Sequence, residues 1–389
     1  MPPMSSRARL LAAIERRVPD RLPVTNHFVM PYFLNKYMNG ISEDAYWQAT
    51  GLDPILWTIS YRPDTSKGEY YDPTQTEIGF LDSRRISSDN WRIETIPLSH
   101  PDFTTTRYNF ITPDGTLSMV LQSNDYTSWV AEHLIKEKRD IDILGKHLTH
   151  PKCHVEDIAQ QATAWGDRGI VRGWICCFDV FGQPGTWQDA CCLVGTEGMI
   201  FAGYDDPGWV HELLKILWER KATYIKSLEG APYDIHELGG GTASDSVISP
   251  KFFDQFVAPY DGELINLLHQ AGQRVSYHTC GGMMRFLERI ADMKPDAMET
   301  FTPPAMGGNA KLAEAKQRIG ERVCMIGGFD QFHFLKDCSP EATRAEVRRC
   351  FAEAGPGGGY ILCTADNFFD ADPELIKVFA DEARRCAYS

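Results

Sequence analysis

The segment Arg274-Val-Ser-Tyr-His-Thr-Cys-Gly-Gly282 has the pattern of a short buried strand that runs into a glycine turn. A second segment near the end of the chain, Gly357-Gly-Gly-Tyr-Ile-Leu-Cys-Thr-Ala365, is built in the same way. Side chains two positions apart on an extended strand lie on the same face, so we expect His278 and Cys280 to point in one direction. The glycines that follow Cys280 allow backbone or substrate to come close to it.

Two further side chains at predicted strand ends complete a set of metal ligands. Cys363 ends the second segment, and Glu237 lies at the end of a third predicted strand, Tyr233 to Leu238. An imidazole, two thiolates and a carboxylate are ligands that zinc accepts. The sequence therefore predicts a zinc site formed by Glu237, His278, Cys280 and Cys363. The alternatives are packing for the histidine and the cysteines, and a salt bridge or a supporting role behind the ligands for Glu237.

Segments of this type recur along the chain and alternate with helices. The predicted strands are one that ends near Asn26 and His27, Ile55 to Tyr61, Gly169 to Phe178, Tyr233 to Leu238, Arg274 to His278, Ala297 to Phe301, Arg322 to Ile326 and Gly359 to Cys363. Capping side chains followed by proline mark helix starts at Asp206-Pro207, Ser249-Pro250, Ser339-Pro340 and Asp372-Pro373. The pattern predicts an α/β fold, a (β/α)8 TIM-type barrel.

The length of the chain and one unusual stretch define the predicted domain organisation. The 389 residues allow either two domains or one large barrel, and we assign 1–389 to a single barrel domain. Residues 65–131 are polar and rich in turns, with Asp114-Gly115 as a hairpin signal. We interpret this stretch as an antiparallel β insertion that covers the barrel mouth.

Charge and composition exclude several classes of partner. A formal net charge of −14 argues against binding to nucleic acid or to an anionic membrane. The chain has no apolar run of the ~18 residues that a membrane-spanning helix needs, and its first 23 residues lack the apolar core of a signal peptide. The eleven cysteines include the adjacent pairs Cys176-Cys177 and Cys191-Cys192, which favours reduced thiols and a cytoplasmic location.

The two opening segments also resemble a known family. Tyr277-His-Thr-Cys-Gly-Gly282 and Gly358-Gly-Tyr-Ile-Leu-Cys363 are similar to the zinc motif of the corrinoid-dependent methyltransferases in the uroporphyrinogen decarboxylase superfamily, which is His-x-Cys followed by a distant Cys on the last strand. The resemblance extends to Val18–Val24, Ile248–Tyr260 and Ile326–Asp330. It implies a (β/α)8 barrel, in agreement with the strand pattern.

One departure separates the chain from the decarboxylases of that superfamily. The decarboxylases have an arginine-rich loop after the first strand that grips the porphyrin carboxylates, whereas here Thr25-Asn-His-Phe-Val-Met-Pro-Tyr32 contains no arginine. The decarboxylases also lack the two cysteines. A lyase of the decarboxylase type is therefore the less favoured alternative.

The resemblance implies a zinc-dependent methyltransferase that moves a methyl group from a methoxylated compound, such as an aromatic methyl ether, to cobalamin on a corrinoid-binding protein. Nothing in the chain resembles the Asp-x-His-x-x-Gly loop that binds a corrinoid, so a partner protein would supply it. The alternative is transfer from a methyl-corrinoid to a thiol or another acceptor. Barrels of this superfamily often pair, so a homodimer is possible.

Further side chains at strand ends are candidates for catalysis and substrate binding. Asn26 and His27 end the first strand beside the eighth, where they could hydrogen-bond a leaving oxygen, and with Glu237 they are the catalytic candidates. Aromatic side chains suit a larger substrate, with packing as the alternative. The substrate-binding candidates are Trp174, Phe178, Phe181, Tyr277 and Phe301.

Overall fold

The computed structural model describes residues 3–75 and 84–388. Its strands are β1 Val24–Thr25, β2 Ile55–Trp57, β3 Tyr61–Arg62, β4 Glu69–Tyr71, β5 Ile86–Ser88, β6 Arg92–Leu98, β7 Thr104–Thr112, β8 Gly115–Ser123, β9 Ser128–Glu132, β10 Lys152–Cys153, β11 Ile170–Trp174, β12 Ile235–Gly239, β13 Val275–His278, β14 Ala297–Thr300, β15 Cys324–Phe329 and β16 Tyr360–Thr364.

The helices surround these strands and mostly connect them. They are α1 Ser6–Ile14, α2 Pro31–Tyr37, α3 Glu43–Thr50, α4 Asp140–His147, α5 Val155–Trp165, α6 Thr186–Val194, α7 Thr196–Asp205, α8 Pro207–Lys226, α9 Pro250–Phe256, α10 Ala258–Gln270, α11 Leu287–Asp292, α12 Leu312–Ile319, α13 Gln331–Phe334, α14 Pro340–Ala354 and α15 Pro373–Arg385. No described helix combines the length and the apolar character that crossing a membrane requires.

One parallel sheet of eight strands forms the centre of the fold, in the order β1-β16-β15-β14-β13-β12-β11-β2. Each of its strands overlaps a segment predicted from the sequence, and β12, β15 and β16 continue one to three residues past the predicted ends. β1 pairs with β16, with Thr25 opposite Cys363, so the first strand lies beside the eighth as predicted. The sheet is nearly closed on itself and is covered by helices, which confirms the (β/α)8 TIM-type barrel.

The seam between β1 and β2, the two ends of the strand order, is joined by a backbone hydrogen bond from the Asp53 N–H to the Val24 carbonyl at 2.7 Å and by side chains. At the base, the buried carboxylate of Asp53 accepts hydrogen bonds from the Val24 backbone N–H at 3.0 Å and from Nη1 of Arg9 at 2.7 Å. At the upper end, the Trp57 indole N–H donates to the His27 carbonyl at 2.9 Å. Within the described residues, these contacts replace a backbone ladder between the two strands.

The interior of the barrel follows from the alternation of side chains along each strand. Its lower part is a cluster of buried apolar side chains from successive strands, which include Ile55, Ile170, Ile235, Ala297 and Ile361. The next side chains on the same face of these strands, two positions further along, are charged: Arg172 follows Ile170, Glu237 follows Ile235 and Glu299 follows Ala297. The apolar layer therefore supports a charged layer at the carboxyl ends of the strands.

The predicted helix starts are confirmed by hydrogen bonds from the first helical turn. Asp206 accepts from the Trp209 N–H at 3.2 Å, Ser249 from Phe252 at 3.2 Å, Ser339 from Ala342 at 3.2 Å and Asp372 from Glu374 at 2.8 Å. Each cap of this kind contributes about 1 kcal/mol. All eleven cysteines are free thiols, as predicted from the adjacent pairs.

The stretch 65–131 contains antiparallel strands, with β4 paired to β5 and a four-stranded sheet in the order β6-β7-β8-β9. The predicted turn at Asp114-Gly115 lies between β7 and β8, whose residues Thr112 and Gly115 pair. Phe110 packs against Phe178, which follows β11, and Tyr126 packs against Tyr32, which follows β1. The sheet thus contacts segments that follow the carboxyl ends of barrel strands. Residues 76–83 of the stretch lie outside the described part, and its function as a cover stays a prediction.

Candidate metal centre

Four buried side chains meet at the carboxyl ends of the barrel strands. Glu237 comes from β12, His278 from β13, Glu299 from β14, and His27 from the loop after β1. One potential ligand atom from each lies within 4.8 Å of those of the other three. We call this set the inner group. Glu237, His278 and His27 were predicted at this place, whereas Glu299 was not.

A second group lies on the other side of the His278 ring. Nε2 of His278 is 3.0 Å from Sγ of Cys280, and this sulfur is 3.4 Å from Oδ2 of Asp366. The ligand atoms of these three residues also lie within 4.8 Å of one another. Cys280 and Asp366 are half-buried, so this outer group is more open than the inner one. Nδ1 of His278 faces the inner group, 3.1 Å from Oε1 of Glu299.

The inner group already contains a cation. The guanidinium of Arg172 is buried, donates to Oε2 of Glu237 at 2.6 Å, and also donates to Oε1 of Glu299. Its planar group lies over the Trp57 ring, 4.2 Å from the centroid. Because the guanidinium neutralises carboxylate charge there, a divalent metal ion would have to compete with it. Among the residues that the structure describes, no guanidinium pairs with the outer group, which offers an imidazole nitrogen, a thiol and a carboxylate, a donor set that fits zinc.

The pKa values in the inner group diverge because its residues share one small buried volume. Burial raises the pKa of Glu237 to about 7, although His278 and Arg172 oppose the shift. The pKa of Glu299 is instead well below its ordinary value, because Arg172 and His278 outweigh the effect of burial. Burial lowers the pKa of His27 to about 3, so this imidazole is neutral at physiological pH.

His278 behaves differently from His27 because it faces anionic partners. Burial lowers its pKa, but Cys280 and Glu237 outweigh this effect and hold the pKa well above the ordinary value. A cation bound to Nε2 would displace the proton that this pKa retains there.

Unusual backbone conformations hold the ligand-bearing strand ends in place. Thr300 and Phe301, directly after Glu299, have φ values of 85° and 46°. This conformation is costly for a β-branched residue. The Thr300 hydroxyl donates to the carbonyl of Thr279, between His278 and Cys280, at 2.5 Å. The turn after β14 is therefore tied to the peptide that links two potential ligands.

Gly239 lets the end of β12 lie directly against β13. Its φ is 109°, and a Cβ at this position would lie 2.3 Å from the His278 carbonyl oxygen. Such a contact is shorter than real Cβ atoms show, so only glycine fits. The glycine run that the sequence places after Glu237 therefore serves the close approach of two ligand-bearing strands.

Two predicted site residues lie outside both groups. Asn26 turns its amide toward Tyr46 and donates to the phenol oxygen. Cys363 is 2% exposed and belongs to the apolar cluster in the barrel interior. Within the described residues it is a member of neither potential metal group. Burial raises the pKa of its thiol to about 12.

Among the predicted substrate-binding aromatic residues, Trp174 is the one that contacts the inner group. Its indole N–H donates to Oε1 of Glu237 at 2.8 Å, and its ring lies 6.1 Å from that of Phe28. Phe28 stacks on Trp57 with a centroid distance of 4.0 Å. Trp174, Phe28 and Trp57 form an aromatic wall beside the inner group.

The other four aromatic candidates have packing contacts. Phe178 is buried beside Phe110 of the antiparallel sheet. Tyr277 alternates with His278, faces outward, and donates to Asp261 of α10 at 2.8 Å. Phe301 is fully buried in the larger hydrophobic core, which includes Phe178 and Tyr277, and the half-buried Phe181 packs against this core.

The sequence contained signals for Arg172 and Glu299 that the prediction missed. Each is a charged residue in the middle of an apolar strand, two positions after an interior Ile170 or Ala297. A charge at such a position faces the barrel interior and needs a partner there. Asp366 follows β16 in an irregular turn, where no periodic pattern indicates the direction of its side chain.

Comparison with known proteins agrees with this barrel. The family model described as Uroporphyrinogen decarboxylase (URO-D) matches residues 182–386, which include Glu237, His278, Cys280 and Asp366. The chain belongs to the uroporphyrinogen decarboxylase family. Its match to the family spans the strand ends from β12 to β16, where most of the potential ligands lie.

Curated family relatives match part of the chain. The uroporphyrinogen decarboxylase of Thioalkalivibrio sulfidiphilus is 26% identical over 197 residues, which are 49% of this chain and 51% of the relative. That of Neisseria meningitidis is 28% identical over 188 residues, or 46% of this chain and 49% of the relative. The chain thus spans about half the length of the curated relatives it matches.

A solved structure of a methyltransferase from Methanosarcina mazei has the same fold over nearly the whole chain. The TM-score is 0.62 with 14% sequence identity, and the superposition covers 98% of this chain and 99% of that protein. At this identity the likeness establishes the barrel fold.

Proposed function

We propose that this protein is a zinc-dependent methyltransferase that moves a methyl group from a methoxylated compound, such as an aromatic methyl ether, to cobalamin on a corrinoid-binding protein. The observation that supports this most directly is the 3.0 Å contact between Nε2 of His278 and Sγ of Cys280, with the Asp366 carboxylate beside the sulfur. The group stands at the carboxyl ends of barrel strands, where barrel enzymes bind their substrates. The likeness to a solved methyltransferase agrees with this proposal.

Decarboxylation of a porphyrin fits the site poorly. A substrate with several carboxylates needs cationic partners, and the segment 25–32 after β1 has none. The guanidinium of Arg172 in the inner group is buried and already paired with Glu237 and Glu299. The charge pattern at these strand ends therefore favours a less acidic substrate.

His278 and Cys280 would hold the zinc ion, together with a ligand from the end of β16. Glu237 and Cys363 were predicted as further ligands, but Oε2 of Glu237 accepts from Arg172 and Oε1 accepts from Trp174. When bound, zinc supplies a Lewis acid that polarises the oxygen of a methyl ether.

The side chains around this position suit an aromatic ether. The wall formed by Trp174, Phe28 and Trp57 offers apolar faces against which a substrate ring can pack. His27 is a neutral imidazole, with Nε2 3.7 Å from Oε2 of Glu237, and it can donate a hydrogen bond to the leaving oxygen.

Transfer from a methyl-corrinoid to a thiol is the second candidate. It draws on the same contact, because a zinc ion held by His278 and Cys280 would also keep a bound thiol as the thiolate. Both candidates need a corrinoid protein as partner. The homodimer and the cytoplasmic location also stay predictions.

Metal analysis tests the proposal first. The purified protein should contain about one zinc ion per chain. The Cys280→Ser variant should lose it, whereas Cys338→Ser, which changes a half-buried thiol bonded to Thr343, should keep it. A folded Cys280→Ser variant that retains zinc would refute the proposed site.

A spectroscopic assay with free cobalamin then separates the two candidates. Methylation of cob(I)alamin by methoxylated aromatic compounds supports the ether as donor, and demethylation of methylcobalamin by thiols supports the second candidate. Loss of carboxylate from uroporphyrinogen without any change in cobalamin would overturn both.

A further inference from the structure

The turn after β16 places a carboxylate, that of Asp366, beside the His-x-Cys pair. Oδ2 of Asp366 lies 3.4 Å from Sγ of Cys280, and within 4.8 Å of a ring nitrogen of His278. Oδ1 accepts the N–H of Asn367 at 2.7 Å, which fixes the orientation of the carboxylate and turns the other oxygen toward the sulfur.

A buried glutamine holds this turn in place. Gln331, at the start of α13, accepts from the Ala365 N–H at 3.0 Å and donates to the Asp366 carbonyl at 3.0 Å. Both bonds come from one fully buried side chain, so the peptide on each side of Asp366 is fixed to the barrel. The carboxylate therefore stands at the site without any movement of the chain.

Cys363 occupies a different environment three residues earlier. Its side chain lies in the apolar cluster of the barrel interior with Phe28, Ile326 and Ile361. In the described part of the chain its sulfur joins neither set of potential ligands. Asp366, in contrast, already has a ligand atom within 4.8 Å of those of His278 and Cys280.

We propose that Asp366 is the third protein ligand of the zinc ion, with His278 and Cys280, and that Cys363 is a packing residue of the barrel. This inference rests on the proposed function. Three protein ligands leave the fourth position of a tetrahedral ion open for substrate, as in other catalytic zinc sites.

The ligand set also selects the class of substrate. One thiolate and one carboxylate balance the two positive charges of zinc, and a single thiolate donates less electron density to the ion than two. The ion thereby keeps more Lewis acidity toward an oxygen atom, which is a harder ligand than sulfur. The assignment of Asp366 therefore favours a methyl ether over a thiol as the group that binds at the open position.

Replacement of zinc by Co²⁺ counts the thiolates directly. The charge-transfer absorption from thiolate to Co²⁺ in the near ultraviolet grows with the number of bound sulfurs, and the wild-type protein serves as the sample. We expect the absorption intensity that one bound thiolate produces. An intensity of two thiolates overturns the assignment of Asp366 but leaves the methyltransferase proposal intact, whereas failure to bind either metal overturns both.

Variants then identify the ligands by zinc affinity. Asp366→Asn should weaken zinc binding by at least about 100-fold, the upper end of what loss of an outer partner costs. Cys363→Ala should bind zinc as the wild type does and keep the charge-transfer absorption with Co²⁺. Cys280→Ser should lose this absorption. Asp366→Asn with unchanged affinity overturns the inference, as does loss of zinc from folded Cys363→Ala, with folding checked by circular dichroism.

Discussion

Replacement of Arg172 by methionine tests whether the inner group depends on its guanidinium. The side chains of Arg172, Glu237 and Glu299 are 2%, 3% and 1% exposed, so solvent does not screen the pairs. Removal of one member of a buried ion pair costs about 3–5 kcal/mol, because a charge is left without a partner. Glu299 keeps His278 as a partner at 3.1 Å and the pKa of Glu237 is about 7, so we expect the lower part of that range. The total stability of a domain is about 5–15 kcal/mol, so the effect is large.

Urea unfolding, followed by circular dichroism, measures this cost on the metal-free protein. Arg322→Met is the matched control, because Arg322 pairs with Asp292 at the surface, where the side chains are 41% and 69% exposed. An exposed pair contributes about 0–1 kcal/mol. The triple variant Arg172→Met, Glu237→Gln, Glu299→Gln should recover most of the loss, because it removes the charges together. The reasoning is refuted if Arg172→Met is no more destabilising than Arg322→Met.

Three further changes test other parts of the structure. The pKa of Glu237 is about 7 in the metal-free folded chain and ordinarily 4.5, so its stabilising contribution falls as pH rises through that window. In the Glu237→Gln variant, the plot of unfolding free energy against pH should therefore be less steep by up to about 1.4 kcal/mol per pH unit. Equal slopes in the wild type and the variant would contradict this. Gly239→Ala should cost at least about 1–3 kcal/mol in urea unfolding, from backbone conformation alone, and an unchanged midpoint would show that β12 can shift away from His278. Lys221→Met should cost about 3–5 kcal/mol by thermal unfolding, since it leaves the buried Asp189 unpaired; a Tm equal to that of the wild type rejects this.

Most of the barrel could be predicted because its strands are short apolar runs with clear ends. The segments that contain β11 to β16 are bounded by glycines and by capped helices, and these local signals do not depend on tertiary contacts. β1 is harder to predict, because only Val24 and Thr25 pair and the rest of the segment is irregular. Its place beside β16 follows from the closure of the barrel rather than from its own sequence.

The candidate site was predictable where a ligand stands on a strand and unpredictable where it stands in a turn. His278 and Glu237 could be placed because strand alternation fixes their direction, and Cys280 follows the end of β13 by two residues. Asp366 lies in a turn whose geometry is set by Gln331, a residue 35 positions away in the sequence. Cys363 has the residue type of a ligand and alternates with Ile361 toward the barrel interior, but alternation does not show which neighbours its sulfur meets there.

The seam between the first two barrel strands has a consequence for access to the metal centre. Between the other neighbouring strands of the barrel, series of backbone hydrogen bonds pair the strands. These bonds break only if the strands separate along their length. At the seam, one backbone bond between Asp53 and Val24, the carboxylate of Asp53 and the indole of Trp57 are separate contacts that can release one at a time. We expect transient breathing to begin there, and deuterium exchange to detect it first at Val24 and Thr25. Such a gap opens beside His27, so a bulky reaction partner can approach from this side while the ligand-bearing strands stay intact.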